Sequence, residues 1–168
     1  TIFSLMSIGL GQTDDLTDLT LYRNLNQEEF NSAARDTGDV ISSFASPTIY
    51  SMGLAWDGEY LWISGQFSES IYKVTTLGAV IDSIPNPGNR GLAWDGEYLW
   101  AATSVGDRLY KINVETGEVV DSLDSPCSGN YPNGLTYDGE LLWVSSYDEE
   151  DLCGVNTNTG VKVDSISL

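Results

Sequence analysis

The sequence predicts an all-β chain, a β-propeller of four-stranded antiparallel blades with three full blades and a partial N-terminal one. Three observations carry this. The ten residues from Gly53 to Trp62, Gly-Leu-Ala-Trp-Asp-Gly-Glu-Tyr-Leu-Trp, recur letter for letter from Gly91 to Trp100, and in altered form from Gly134 to Trp143. The repeat length of about 40 residues is that of small units which cannot bury a core alone and stack on one another. Within each unit, short apolar runs alternate with Asp-Gly, Leu-Gly or Thr-Gly turn signals, the punctuation of antiparallel hairpins.

The elements follow in order. Ile2 to Leu10 is apolar but short, and reads as a strand, with a signal-peptide remnant as the alternative. Residues 1–44 read as a decayed blade: Leu21 to Asn26 parallels Leu109 to Val114, and Thr37 to Phe44 parallels Thr116 to Leu123. Between them, Gln27 to Asp36 is expected to form a helical turn capped by Asn26. Residues 45–168 hold the three full blades, at about 52–84, 90–123 and 133–166. The strands of the first are expected at Gly53–Trp56, Tyr60–Ser64, Ser70–Thr75 and Ala79–Ile84, and the other two repeat the plan. Asp57-Gly58, Asp95-Gly96 and Asp138-Gly139 are read as two-residue type I′ hairpins, which need positive φ at both residues. The Trp residues sit at only two blade positions and are read as packing between blades. Asp82, Asp121 and Asp164 fall on the outermost strand, where charge discourages edge-to-edge pairing.

Composition limits the function. Seven basic residues stand against twenty-five acidic ones, a net charge of -18. No basic stripe is available for nucleic acid or for an anionic membrane surface. No apolar run is long enough to span a bilayer. The absence of His removes the commonest general base and transition-metal ligand. The two Cys, Cys127 and Cys153, lie at places where the third unit departs from the others. Cys127 is in a lengthened inter-blade connection, and Cys153 replaces the Tyr seen as Tyr72 and Tyr110. The topology puts both at one end of the blade, so a disulfide is expected, and with it a secreted or cell-surface location.

The motif Gly-Leu-Ala-Trp-Asp-Gly-Glu-Tyr-Leu-Trp, followed by Leu-Tyr-Lys-Ile-Asn-Val-Glu-Thr-Gly-Glu-Val-Val, resembles secreted β-propeller repeat proteins of the streptogramin-lyase-like and glutamine-cyclotransferase-like groups. The resemblance covers roughly residues 37–168 and lies in the scaffold. It implies a propeller enzyme of the cyclotransferase or lyase type as one function. The cyclotransferases imply an acidic residue just after the second strand's Leu-aromatic pair, where this chain has Ile63, Ala101 and Val144. The lyases imply a His base, and the chain has no His.

Comparing the repeats separates scaffold from function. Text shared by all units builds the blade, and text that differs is free to bind. The variable text lies in the loops between strands two and three and in the connections between blades, which emerge at one end of the blades. Binding is expected there, since loops on a rigid scaffold carry function. The candidate residues are Gln66, Phe67, Arg90, Asp107, Arg108, Tyr131, Tyr147 and Asp148. Calcium is the one cofactor considered, at Asp148, Glu149, Glu150 and Asp151, although the run lacks the Asp-x-Asp-x-Asp-Gly spacing of a calcium loop. No catalytic motif is present. The favoured reading is a non-catalytic extracellular binding or adhesion module that self-associates through incomplete blades and takes a carbohydrate or protein ligand. A structural subunit of an extracellular filament or surface assembly is the first alternative, and a propeller enzyme the second.

Overall fold

The computed structural model describes residues 40–127, 131–148 and 151–167. The chain divides into two compact units, Thr1–Ile41 and Ser42–Leu168. Of the first, only Val40 and Ile41 are described, and both are exposed. The strand, signal remnant and helical turn expected within residues 1–39 lie outside the described residues. Residues 40–46 belong to no strand.

The second unit is three four-stranded antiparallel sheets, each ordered as the chain runs. The first contains β1 (Ser51–Trp56), β2 (Leu61–Gly65), β3 (Ser70–Val74) and β4 (Val80–Pro85). The second contains β5 (Leu92–Trp94), β6 (Leu99–Thr103), β7 (Arg108–Ile112) and β8 (Val119–Asp124). The third contains β9 (Pro132–Tyr137), β10 (Leu142–Ser146), β11 (Asp151–Val155) and β12 (Lys162–Ser167). No helix occurs among the described residues. The repeated register (Ala55 with Trp62, Ala93 with Trp100, Thr136 with Trp143) shows that the repeated motif builds the same inner hairpin three times.

The blades pack face to face through two apolar clusters. The first joins Ala55, Trp62, Ile71 and Ile84 of blade one to Leu92, Leu99, Ala101 and Ile112 of blade two. The second joins Ala93, Trp100, Ala102 and Leu109 of blade two to Leu142, Val144, Cys153 and Val155 of blade three. Trp62 and Trp100 are completely buried. Rings so placed are worth about 3–5 kcal/mol each on truncation to Ala. The five Trp do not share one environment, however: Trp56 is 48% exposed and Trp143 only partly covered. The motif glycine explains how closely the inner strands approach. A Cβ on Gly53 would stand 2.5 Å from the Arg90 carbonyl oxygen, and one on Gly91 2.5 Å from that of Asn133. Gly91 N–H donates to that Asn133 oxygen at 2.7 Å, stitching blade two to blade three.

The Asp-Gly turns differ from expectation. Only Gly58, Gly96 and Gly139 have positive φ, and their Asp partners do not, so the turns are not type I′. Each is a four-residue connection closed by a backbone bond (Asp57 N–H to Tyr60 O at 3.1 Å, Asp95 N–H to Tyr98 O at 3.1 Å, Asp138 N–H to Leu141 O at 3.2 Å) and braced by the Asp side chain. Asp57 Oδ1 accepts the Glu59 and Tyr60 N–H groups at 2.8 and 2.6 Å, and Oδ2 accepts the Trp62 indole N–H at 2.8 Å. Asp95 and Asp138 repeat all three bonds, reaching Trp100 and Trp143. The side chain thus supplies the acceptors that a tight two-residue turn would take from backbone.

The expected disulfide is present. Cys127 and Cys153 are bridged across a Cα–Cα distance of 5.6 Å, and both lie within the cluster between blades two and three.

Candidate functional site

The antiparallel order sends two kinds of connection to opposite ends of the blades. One end holds the Asp-Gly turns and the β3–β4, β7–β8 and β11–β12 turns. The latter are braced in the same manner: Asn113 Oδ1 accepts the Glu115 and Thr116 N–H groups, and Asn156 Oδ1 those of Asn158 and Thr159. Blade one uses Thr75 Oγ1 for the same purpose. At this end Lys73 Nζ lies 4.5 Å from the Tyr60 ring centroid and 5.3 Å from that of Trp62. Lys111 repeats the contact at 4.2 Å over Tyr98 and 5.6 Å from Trp100. Blade three substitutes Leu141 for the Tyr and Gly154 for the Lys. A Cβ on Gly154 would meet Leu141 Cδ1 at 3.0 Å, so the aliphatic chain takes the space beside the indole.

The other end holds the divergent loops, and there the structure forms a cavity of about 340 Å³ lined by Arg90, Tyr131, Asn133, Tyr147 and Asp148. Each lining residue is held through its backbone. Arg90 N–H donates to Ala102 O at 3.1 Å, while its carbonyl accepts Ser64 Oγ at 3.0 Å. Tyr131 adopts positive φ, 68°. Its N–H donates to Asp107 Oδ1 at 2.8 Å and its carbonyl accepts the Tyr147 N–H at 3.1 Å. That pair of bonds places two phenol-bearing residues on adjacent loops at the rim. Tyr131 is 46% exposed and Tyr147 79% exposed.

Blade one repeats the device. Tyr50 has φ of 51°, and its carbonyl accepts the Gln66 N–H at 3.0 Å. Tyr50 and Phe67 then meet edge to face, centroids 5.8 Å apart, with 66% and 70% of their surfaces exposed. Blade two has Gly88 at the Tyr position and no such pair. Exposed aromatic residues therefore stand on blades one and three at the divergent end, and on blade one they meet as a ring pair.

The structure brings four of the sequence-predicted residues, Arg90, Tyr131, Tyr147 and Asp148, to one cavity. Gln66 and Phe67 belong to the blade-one pair instead. Asp107 is a brace, its carboxylate committed to Tyr131 and its carbonyl accepting the Ser125 N–H at 2.8 Å. Arg108 is also committed: it pairs with Asp124 at 2.9 Å and donates to Ser122 Oγ at 2.6 Å, tying β7 to β8. Two residues escaped the sequence reading, Asn133 of the cavity and Tyr50 of the blade-one pair. Aligning the repeats on the motif glycine puts Met52, Arg90 and Asn133 at one position, so comparison of that column would have found Asn133. Among the described residues no cluster of three or more His, Cys, Asp or Glu forms a metal site. Glu149 and Glu150 of the acidic run considered for calcium lie outside those residues.

No family model and no curated protein matches the chain. Solved structures do. The chain is similar to a glutaminyl cyclase of Myxococcus xanthus at 18% identity and a TM-score of 0.61, covering 70% of this chain and 52% of that one. It is similar to the virginiamycin B lyase of Staphylococcus aureus at 15% identity and a TM-score of 0.55, covering 75% and 44%. It is also similar to U3-55K at 16% identity and a TM-score of 0.56, covering 74% and 41%. The chain therefore spans about half or less of the length of these structures. Together with the three repeated four-stranded sheets, they define the class: an all-β chain of β-propeller-like fold. At these identities the likeness is one of fold, and fold does not fix function.

Proposed function

We propose that this chain is a non-catalytic extracellular binding module whose divergent loop end takes a carbohydrate or protein ligand, and whose open blade faces join it to other copies of itself. One observation carries the reading: exposed aromatic residues and a cavity gather at the divergent end, while the turns of the opposite end are braced alike by side-chain acceptors. Exposed Tyr and Phe on rigid loops offer broad contact area at low conformational cost. The Cys127–Cys153 disulfide supports a secreted or cell-surface location. Among the described residues no helix is long and apolar enough to cross a membrane.

The reading requires no cofactor. Calcium at Asp148–Asp151 is the one cofactor considered, and a chelator shift in the thermal melt reads it directly. The filament or surface-assembly alternative uses the same open faces. The enzyme alternative draws on the names of two structural neighbours. Ile63, Ala101 and Val144, at the positions where the resemblance implies an acid, are buried apolar residues of the blade packing.

An array of extracellular saccharides and matrix proteins probed with the labelled chain tests the proposal. Saturable binding that disappears when Phe67 and Tyr147 are both replaced by Ala is the expected result. A silent array, binding indifferent to that double substitution, or turnover of an amino-terminal glutaminyl peptide overturns it.

A further inference from the structure

The cavity between blades two and three is more specific in its chemistry than a general loop surface, and from it we infer a site for a carboxylated saccharide, a uronic-acid residue at the end of a glycan. The inference rests on the binding-module reading and names its ligand class.

Arg90 is the first support. In a chain of net charge -18, an arginine has many acidic groups to choose from. The other arginine of the divergent end, Arg108, is bound to Asp124 and Ser122. Among the described residues Arg90 makes no ion pair, and it lines the cavity. A guanidinium lining a cavity can meet a carboxylate with two parallel hydrogen bonds.

The remaining lining supplies what a sugar ring asks for. The exposed phenol rings of Tyr131 and Tyr147 offer flat apolar faces on which the C–H face of a pyranose can lie, with hydroxyls for its edge. Asp148 accepts hydrogen bonds from sugar hydroxyls, and the Asn133 amide both donates and accepts. A volume of about 340 Å³ is at the small end of ligand pockets, which run from about 300 to 1,000 Å³, and suits one or two rings.

The overall charge narrows the class further. Eighteen excess negative charges disfavour the approach of polyanions. A heavily sulfated glycan is therefore rejected at long range, whereas one carboxylate on an otherwise neutral sugar reaches Arg90. The preference is for a single acid group carried on a hydroxylated ring.

Isothermal titration with a glucuronate-terminated disaccharide and with its neutral glucose counterpart tests this. The wild-type chain is expected to prefer the uronate by about tenfold or more, the worth of one charge-assisted pair. Arg90→Gln should bring the two affinities to within about twofold. The backbone bonds at that position survive the substitution, and an unchanged near-ultraviolet circular dichroism spectrum checks the fold. Tyr147→Ala should weaken both saccharides while leaving their ratio intact. Failure of both saccharides to bind, a preference that persists in Arg90→Gln, or tighter binding of heparin overturns the assignment. If these saccharides fail while the array still yields a ligand lost on replacing Phe67 and Tyr147, this ligand class falls and the binding-module reading stands. If both experiments fail, both fall.

Discussion

Three carboxylates, Asp57, Asp95 and Asp138, each tie a solvent-facing turn to a packed indole through three hydrogen bonds. At Asp57 and Asp138 the arrangement favours the charged form. At Asp138 the Leu141 backbone N–H, the Trp143 indole and the Glu140 N–H hold the carboxyl below its ordinary value of 3.8. At Asp57 burial pushes the carboxyl up, but the Tyr60 and Glu59 N–H groups, the Trp62 indole and the Lys73 charge outweigh it, and the net direction is again down. A folded-state value below the unfolded one contributes stability that is whole above the unfolded value and is lost as pH falls through the folded value. Denaturation midpoints are therefore expected to hold steady at mildly acidic pH and to drop once pH passes below 3.8. Asp138→Asn should lower the neutral-pH midpoint and flatten the acid fall. A variant whose acid fall matches wild type would remove Asp138 from this account. The repeats made these residues visible as turn formers, but not the bond to the indole. That bond depends on how the ring, five positions along, turns back across the hairpin, and spacing alone leaves it open.

Between elements, the repeated motif made the inner hairpins legible, because a Gly that admits a neighbouring strand and a Trp that fills the interface recur together. The turn type was misread for a physical reason. Asp-Gly signals positive φ at both residues only when they are the two central residues of the turn, and here the Asp N–H pairs with the carbonyl three residues on, which makes Asp a flanking residue and leaves Gly the one that needs positive φ. Similarly, the divergent columns led to Arg90, Tyr131, Tyr147 and Asp148, while Asp107 and Arg108 stand in equally divergent text yet serve as braces. Their partners, Tyr131 and Asp124, are many residues away, and which loop reaches which strand end is set by blade packing. The disulfide was legible because Cys153 takes the strand position of Tyr72 and Tyr110 while Cys127 lies in the lengthened connection at the same end of that blade. It links the connection before β9 to β11 over a sequence separation of 26. Replacing Cys127 and Cys153 by Ala should lower unfolding free energy by about 3 kcal/mol on the loop-closure account. Denaturant melts measure the loss, and thiol titration of unreduced, denatured protein should find no reactive thiol. Two thiols per chain would refute the bridge.

At the scale of the molecule, the blade interfaces show what the outer faces lack. Leu92 is buried against blade one, and Trp94 packs on the same cluster. Their counterparts at the leading face of blade one, Leu54 and Trp56, are 62% and 48% exposed. On the trailing face of blade three, Ile166 is 46% exposed, where its counterpart Ile84 is buried. Trp143 is only partly covered, where Trp62 and Trp100 are sealed. These two faces carry the side chains that elsewhere in the chain pack against each other. On the proposed self-association, the leading face of one copy would meet the trailing face of the next as blade one meets blade two. Such a contact is heterologous: it closes into a ring if the rotation permits, and otherwise extends as a filament. Apolar faces of this kind are seldom left bare on a monomer. Light scattering on the purified chain is therefore expected to give a mass that rises with concentration above that of a single 18.3 kDa chain. Leu54→Asp combined with Trp56→Asp should return it to the monomer without disturbing the two inner clusters, since neither residue belongs to them. A wild-type chain that stays monomeric across the concentration range would show that these faces do not join copies. A charged double variant that still associates would place the contact elsewhere.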